Sequence, residues 1–329
     1  MLGRELTFAD AKIIEIVKEH FIAVAADDWF QRRRQDAEGV FFRKVADQGP
    51  TREGETRQGI YALTADGRLL HYSNHQDADV IRDFLADAHA AWRKLPAGQR
   101  ARGAIQVPEL KKIDTEHAPT IPKDGLIVNT YARILDPKDD FFCHGRCQFP
   151  GGQRASHDHL WIRAEEWQAL LPTDAKKGQE IKVPAKLIHR LARFHLVDNT
   201  RGEPPMWEAN EVRKAEMKLI VEEVTASEIR LKLTGAIVLA THANLKTAKR
   251  GYDAVLSGDI RYEPAQRKIT RFNVVAIGAH WGDGEFNEGA RQGRMPLGVA
   301  FELADPARAS DRVPPQFIRE GGDYWNAGR

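Results

Sequence analysis

Alternation of apolar and polar residues in the C-terminal half is the feature that most limits the folds open to this chain. Ile229, Leu231 and Leu233 alternate with polar residues, and the same period of two recurs between 253 and 262. Successive side chains of a β-strand point to opposite faces, so this period predicts strands with one buried face. Five such segments with short turns predict an antiparallel sheet, half-exposed or rolled into a sandwich or partly closed barrel.

The first 98 residues carry both helical and strand patterns. Residues 11–20 and 77–95 place apolar side chains at helical spacing, and the apolar run at 21–25 predicts a buried strand. Asp66 and Gly67 stand between two short apolar runs, which is typical of a β-hairpin. These patterns predict an α/β domain.

A length of 329 residues favours two domains. The patterns predict an α+β chain divided in the following order: an α/β domain at 1–98, a linker at 99–122, a β-rich domain with a few helices at 123–304, and an extended tail at 305–329.

Two segments of the N-terminal region resemble the thioredoxin-like fold. They are Phe8-Ala9-Asp10 through Asp27, and the segment from Ile60 to Leu70 with the helix that follows it. The resemblance implies a thioredoxin-like domain, but this region contains no cysteine. Because thiol–disulfide exchange needs a thiolate, the region is expected to be a scaffold or docking module without redox activity.

The C-terminal half, from 194–207 to 296–301, looks like a group of uncharacterised bacterial proteins. This resemblance implies a bacterial origin. It carries over no activity and no catalytic residue.

The two cysteines of the chain lie close to a pair of histidines. Cys143 and Cys147 are four residues apart, and His157 and His159 are two apart. On a strand, residues two apart face the same way. Zinc and copper bind thiolate sulfur and imidazole nitrogen, so these four residues are candidate ligands of a zinc or copper ion.

Other interpretations of this Cys/His patch stay open. Cys143 and Cys147 could be two small buried side chains or a local disulfide. His157 and His159 could face solvent from a strand that buries Leu160 and its neighbours. The spacing matches neither a standard zinc finger nor a haem attachment site.

A second group of polar and aromatic residues follows a predicted helix that begins near Pro184. His195 lies on the apolar side of that helix, and a loop dense in polar groups and prolines comes next. Loops held by a scaffold often carry binding groups. An internal ion-pair network that clamps the loop is the alternative.

From this loop and from the end of the last long strand we select candidate site residues. The candidate catalytic residues are His195, His280, Asp198 and Glu203, and the candidate substrate-binding residues are Arg201, Trp207 and Trp281.

Composition limits the partners. The net charge of +2 argues against a nucleic-acid binder that works through bulk charge, and no apolar run approaches the roughly 18 residues of a membrane span. No nucleotide-cofactor motif occurs. The start Met1-Leu2-Gly3 shows no signal peptide, which predicts a cytoplasmic protein, or a periplasmic or secreted one if a signal was removed.

Three functions follow from these observations. The first is a metal-binding protein, in particular a copper- or zinc-dependent oxidoreductase with a non-redox thioredoxin-like module. The second is a non-catalytic module that binds a small molecule or a protein. The third is a metal-free hydrolase or transferase that uses His195 or His280 with Asp198 or Glu203, and it ranks last because no nucleophile motif such as Gly-x-Ser-x-Gly occurs. The oligomeric state does not follow from the sequence.

Overall fold

In a computed structural model, the described chain falls into two compact units. The structure describes residues 7–50, 56–105, 112–135, 155–287, 289 and 293–328. The N-terminal unit ends at Thr120, and the C-terminal unit, called the sheet unit below, begins at Ile121.

The described part of the N-terminal unit is mainly helical. Its elements are α1 Ala11–His20, α2 Asp28–Gln31, α3 Ala37–Ala46, β1 Ile60–Leu63, β2 Leu69–Ser73, α4 Ala78–Arg93 and α5 Ala97–Arg100. The Asp10 and Asp77 carboxylates accept hydrogen bonds from the first amides of α1 and α4, which fixes where these helices begin. No helix in the described residues is long and apolar enough to cross a membrane.

The apolar faces of α1 and α4 pack against the hairpin of β1 and β2. Ile13 of α1, Ala62 of β1 and Ile81, Phe84 and Leu85 of α4 form one buried cluster. The 3.6-residue spacing of these side chains along α4 is the pattern that predicts this helix from the sequence.

The predicted strand at 21–25 is not formed. Residues 21–27 belong to no helix or strand, and Ile22 and Val24 are 94% and 82% exposed. β1 and β2 are the strands of this unit within the described residues, and they form a two-stranded antiparallel sheet. The thioredoxin-like fold is therefore not confirmed: the apolar run at 21–25 does not become the central strand that this fold requires.

The sheet unit contains the remaining strands. They are β3 Leu126–Ile134, β4 Ser156–Ile162, β5 Glu180–Lys182, β6 Val212–Val224, β7 Ile229–Ala240, β8 Gly251–Glu263, β9 Lys268–Trp281 and β10 Met295–Leu303. Its helical elements are α6 Ala164–Gln168, α7 Ala185–Arg190, a π-helix at Leu191–His195, 3-10 turns at Ala209–Glu211, Ala309–Arg312 and Gln316–Glu320, and α8 Gly321–Trp325.

The eight strands form one antiparallel sheet in the order β4-β3-β10-β9-β8-β7-β6-β5. The α+β class and the antiparallel sheet predicted from the alternation are confirmed. The predicted sandwich or partly closed barrel is not, because β4 and β5 stay at opposite edges of an open sheet. Among the described residues, α7 and the π-helix pack against its buried face.

Directly paired residues of antiparallel strands point to the same face, so the register defines two faces. On the covered face, Leu233 of β7 shares an apolar cavity with Leu187 of α7 and Leu191 of the π-helix. The same row of paired residues continues through Val274 and Phe301 to the polar residues Thr130 and Asp158. The other side of the sheet is called the opposite face below.

The segment predicted as an extended tail instead folds against the sheet unit. Within it, Tyr324 and Ala327 have no exposed surface, and Phe317 and Ile318 are buried as well. Prolines and glycines in this segment interrupt any helical period, so its apolar residues show no pattern in the sequence although they are buried in the fold.

Gly278 illustrates how closely the central strands approach one another. A Cβ atom at this position of β9 would lie 2.0 Å from the carbonyl oxygen of Asp253 on β8. We expect Gly278→Ala to lower the free energy of unfolding by roughly 1–3 kcal/mol, because a backbone atom must move to admit the methyl group.

Urea unfolding measures this cost. Gly322→Ala is the matched control, because a Cβ at Gly322 meets no atom within 4 Å. Equal stability of the two variants would contradict the close approach.

Candidate functional site

His157 and His159 lie side by side at one edge of the sheet. Both belong to the edge strand β4, and their side chains share the opposite face because they are two residues apart. The centroids of the two rings are 4.6 Å apart, and Tyr131 of the neighbouring strand stacks on His157 at 4.8 Å. The predicted pair of adjacent imidazoles is thus present in the fold.

An amide and a carboxylate orient the His157 ring. Asn129 Oδ1 lies 3.1 Å from His157 Nε2, and Asn129 Nδ2 lies 3.4 Å from Asp311 Oδ2. Since the Asn129 amide donates to Asp311, its oxygen accepts from His157 and the proton of a neutral His157 ring sits on Nε2. This arrangement leaves the lone pair of Nδ1 available to a ligand.

Both rings are neutral at pH 7. Burial lowers the pKa of His157, and burial together with the neighbouring His157 lowers the pKa of His159 to about 4. The Nε2 atom of His159 is buried and has no hydrogen-bond partner among the described residues. Neutral imidazole is the form that binds a metal ion, so the protonation state suits that role.

The other two predicted metal ligands, Cys143 and Cys147, lie outside the described residues, between Leu135 and Ala155.

Within the described ranges, one group of three acidic and histidine side chains has ligand atoms close enough for a metal ion. It comprises Asp114, Glu116 and His117 in the N-terminal unit. Asp114 already accepts hydrogen bonds from the amides of Gln35, Glu116 and His117, and those contacts, that of Gln35 foremost, lower its pKa to about 2. The Asp114 carboxylate therefore already has a structural role as the acceptor of three backbone N–H groups.

His195 is buried against the covered face, away from solvent. Its Nε2 lies 3.0 Å from the Tyr324 hydroxyl, and its Nδ1 lies 3.7 Å from Asp158 Oδ2. Asp158 also accepts a hydrogen bond of 2.9 Å from the backbone N–H of Gln316. The predicted catalytic partners pair elsewhere, Asp198 with Arg201 and Glu203 with Arg319. The polar neighbours of His195 are Asp158 and Tyr324, which the sequence did not single out.

A π-helix places His195 in this position. The Leu196 amide donates to the Leu191 carbonyl, five residues earlier, and all five residues of the π-helix are buried. The wider turn differs from the α-helix that the sequence predicts across this segment. Short π-helical turns often occur at functional positions, and this one presents a polar ring to the sheet.

Asp198 and Arg201 form a buried ion pair, and His280 lies near enough to interact electrostatically with both. Asp198 Oδ2 pairs with Arg201 Nη2 at 2.8 Å, and both side chains are fully buried. The Asp198 carboxylate also binds Thr200, while Asn287 binds the Asp198 carbonyl. The interactions clamp the loop, as the alternative interpretation of its sequence expects.

The charges in this cluster set the protonation of both titratable groups. Burial raises the pKa of Asp198, but Arg201, His280 and Thr200 together hold it below its ordinary value. Burial lowers the pKa of His280 to about 4, although the Asp198 charge acts in the other direction. At pH 7 the cluster therefore contains a carboxylate, a guanidinium and a neutral imidazole.

The three remaining candidates make structural contacts. Glu203 pairs with Arg319 at 2.6 Å. The indole of Trp207 donates to the Leu196 carbonyl, and that of Trp281 donates to the Ala248 carbonyl.

Arginine side chains cover both indoles. Arg250 lies 3.9 Å above the Trp207 ring, and Arg294 lies 4.0 Å above the Trp281 ring. Each indole thus has an arginine on one face and a carbonyl at its N–H.

Sequence reasoning missed Asp158 and Tyr324. The period-two alternation contains a signal for the first, because it puts Asp158 on the face opposite to His157 and His159. For Tyr324 no local signal exists, since its contact with His195 joins positions that lie 129 residues apart.

No protein family, curated protein or solved structure matches this chain.

Proposed function

We propose that the chain binds a transition-metal ion, zinc or copper, with His157 and His159 as two of its ligands. The observation that carries the proposal is the pair of adjacent, neutral imidazoles on one face of β4, one with a buried and unpartnered Nε2 among the described residues. Cys143 and Cys147 are the predicted further ligands, since thiolate and imidazole together favour zinc or copper.

The surroundings of His157 support the proposal. Histidines that bind a metal usually donate their second ring N–H to a carbonyl or carboxylate, which fixes the ring and the tautomer. The His157 ring has such a partner in Asn129, which Asp311 holds in turn. A copper ion at this position would supply redox chemistry, and a zinc ion with an open position would polarise a bound water or carbonyl.

The metal-free alternative has less support in the geometry. It needs Asp198 or Glu203 as a free base beside His195 or His280, yet Asp198 is bound by Arg201 and Thr200, and Glu203 pairs with Arg319.

Non-catalytic binding has an observation of its own. Val255 and Ile277 are paired neighbours on the opposite face, and they are 67% and 47% exposed. Exposed apolar side chains at adjacent positions are typical of interaction surfaces. The metal analysis below separates this function from the proposed one.

Elemental analysis and calorimetric titration of the full chain with zinc or copper test the proposal. We expect one ion per chain. The His157→Ala/His159→Ala variant should bind it at least about 10-fold more weakly, because each imidazole supplies one bond to the ion. Cys143→Ser and Cys147→Ser test the predicted thiolate ligands separately.

His242→Ala is the matched control, because His242 lies in an exposed loop of the same unit. Absence of a stoichiometric ion, or equal affinity of the double variant and the control, would exclude metal binding by this pair and leave non-catalytic binding as the function to test.

A further inference from the structure

The surroundings of Asp158 on the covered face are polar although they are closed to solvent. Thr130 is its register partner on β3, and His195 and Gln316 approach it from the π-helix and the C-terminal segment. All four residues are at most 7% exposed. They form what we call the Asp158 cluster.

The Asp158 cluster contains four of the buried polar atoms that lack a partner. Thr130 Oγ1, His195 Nδ1 and both amide atoms of the Gln316 side chain have no hydrogen-bond partner within the described residues. Buried polar groups in native proteins are almost always hydrogen-bonded to protein, water or a ligand. Four such atoms on residues around one carboxylate are the observation from which we argue that this place binds a molecule.

The hydrogen-bond order around Tyr324 fixes the proton on His195. The Trp161 amide donates to the Tyr324 hydroxyl at 3.3 Å, so that hydroxyl can donate its own proton to His195 Nε2 at 3.0 Å. In a neutral ring the proton is then on Nδ1, facing Asp158 Oδ2. Their separation of 3.7 Å is too long for a direct hydrogen bond.

We propose that the Asp158 cluster is an internal site for a small molecule that donates N–H or O–H bonds to the Asp158 carboxylate. A carboxylate accepts about four hydrogen bonds, and the backbone N–H of Gln316 supplies one. The Thr130 hydroxyl and the Gln316 side chain provide both donors and acceptors for such a molecule. Ammonium and water share this chemistry, and the test below distinguishes them.

The site is independent of the proposed metal ligands. Asp158 lies between His157 and His159 in β4, so its side chain points to the other face of the sheet.

Replacing the unpartnered groups by apolar groups of similar size gives a test whose sign is decisive. If they bind a molecule, Thr130→Val and Gln316→Met each lose hydrogen bonds and should lower the Tm of the sheet unit by about 2–4 °C. If they bind nothing, the same changes remove buried polar groups without partners and should raise the Tm or leave it unchanged, which would overturn the proposal.

Thr130→Ser keeps the hydroxyl and should restore most of the stability lost in Thr130→Val. Thr234→Val is the matched control, because Thr234 lies on the opposite face of the same sheet and is not fully buried. Hydrogen exchange of peptides from β8 and β9 assigns each change to the sheet unit.

Ammonium chloride and sodium chloride at equal ionic strength identify the molecule. Stabilisation by ammonium chloride alone, lost in the Thr130→Val variant, assigns an ammonium-type cation. Equal effects of both salts, together with the expected loss of stability in the variants, assign water. Unchanged metal affinity in Thr130→Val and Gln316→Met keeps this test separate from that of the metal site.

Discussion

Replacement of Arg190 by methionine is expected to lower the free energy of unfolding of the sheet unit by about 3–5 kcal/mol, because the change leaves a buried carboxylate without its cation. Arg190 has no exposed surface, and its guanidinium makes a two-point ion pair with Glu166, with Nη1 at 2.7 Å from Oε2. It also donates to the carbonyls of Tyr324 and Trp161. One side chain thus joins α6, α7, β4 and the C-terminal segment.

Urea unfolding of the full chain, with hydrogen exchange of β8 and β9 peptides, measures this loss. The double variant Arg190→Met/Glu166→Leu should recover part of the stability, because it removes both charges instead of one. Arg230→Met is the control, since Arg230 forms ion pairs at the surface. If Arg190→Met lowers the free energy of unfolding no more than Arg230→Met does, the ion pair of Arg190 with Glu166 does not stabilise the sheet unit.

Acidification from pH 6.5 to pH 4 is the second change with a large expected effect. His280 is 2% exposed, and burial lowers its pKa from about 6.5 to about 4. Between these values the unfolded chain binds a proton that the folded chain does not. The contribution of neutral His280 to the free energy of unfolding is therefore fully present above pH 6.5 and is lost as the pH falls towards 4. The pKa difference corresponds to about 3 kcal/mol.

His280→Gln removes this titration and should flatten the dependence of the free energy of unfolding on pH between 6.5 and 4. The difference in slope between the native chain and the variant isolates His280, because His159 contributes in the same direction to both. His242→Ala, in an exposed loop, should retain the native slope. A His280→Gln profile parallel to that of the native chain would disprove the assignment.

The antiparallel sheet could be predicted from the sequence, but whether it stays open or closes into a barrel or sandwich could not. Alternation at Ile229, Leu231 and Leu233 predicts a strand with one buried face, and β7 has that burial. Whether the sheet closes depends on its two edge strands, β4 and β5, and on the helices that cover it. A local pattern contains no information about either.

Part of the candidate site could likewise be predicted from the sequence, and part could not. The spacing of two between His157 and His159 is enough to place both rings on one face of a strand. The partners of His195 could not be predicted, because Asp158 and Tyr324 meet it from distant parts of the chain. The sequence offered Asp198 as its neighbour, but Arg201 binds that carboxylate.

The sequence by itself determined part of the local geometry: the strands with a clear period of two, such as β7 and β8, the helices α1 and α4, and the shared face of His157 and His159. These follow from a period of two or of 3.6, which any short window of the chain contains. The tertiary structure alone decided which buried polar groups meet, as in the ion pair of Arg190 with Glu166 and the contact of His195 with Tyr324. A buried charge is stable only beside the partner that the whole fold brings to it, and that partner need not be near in sequence.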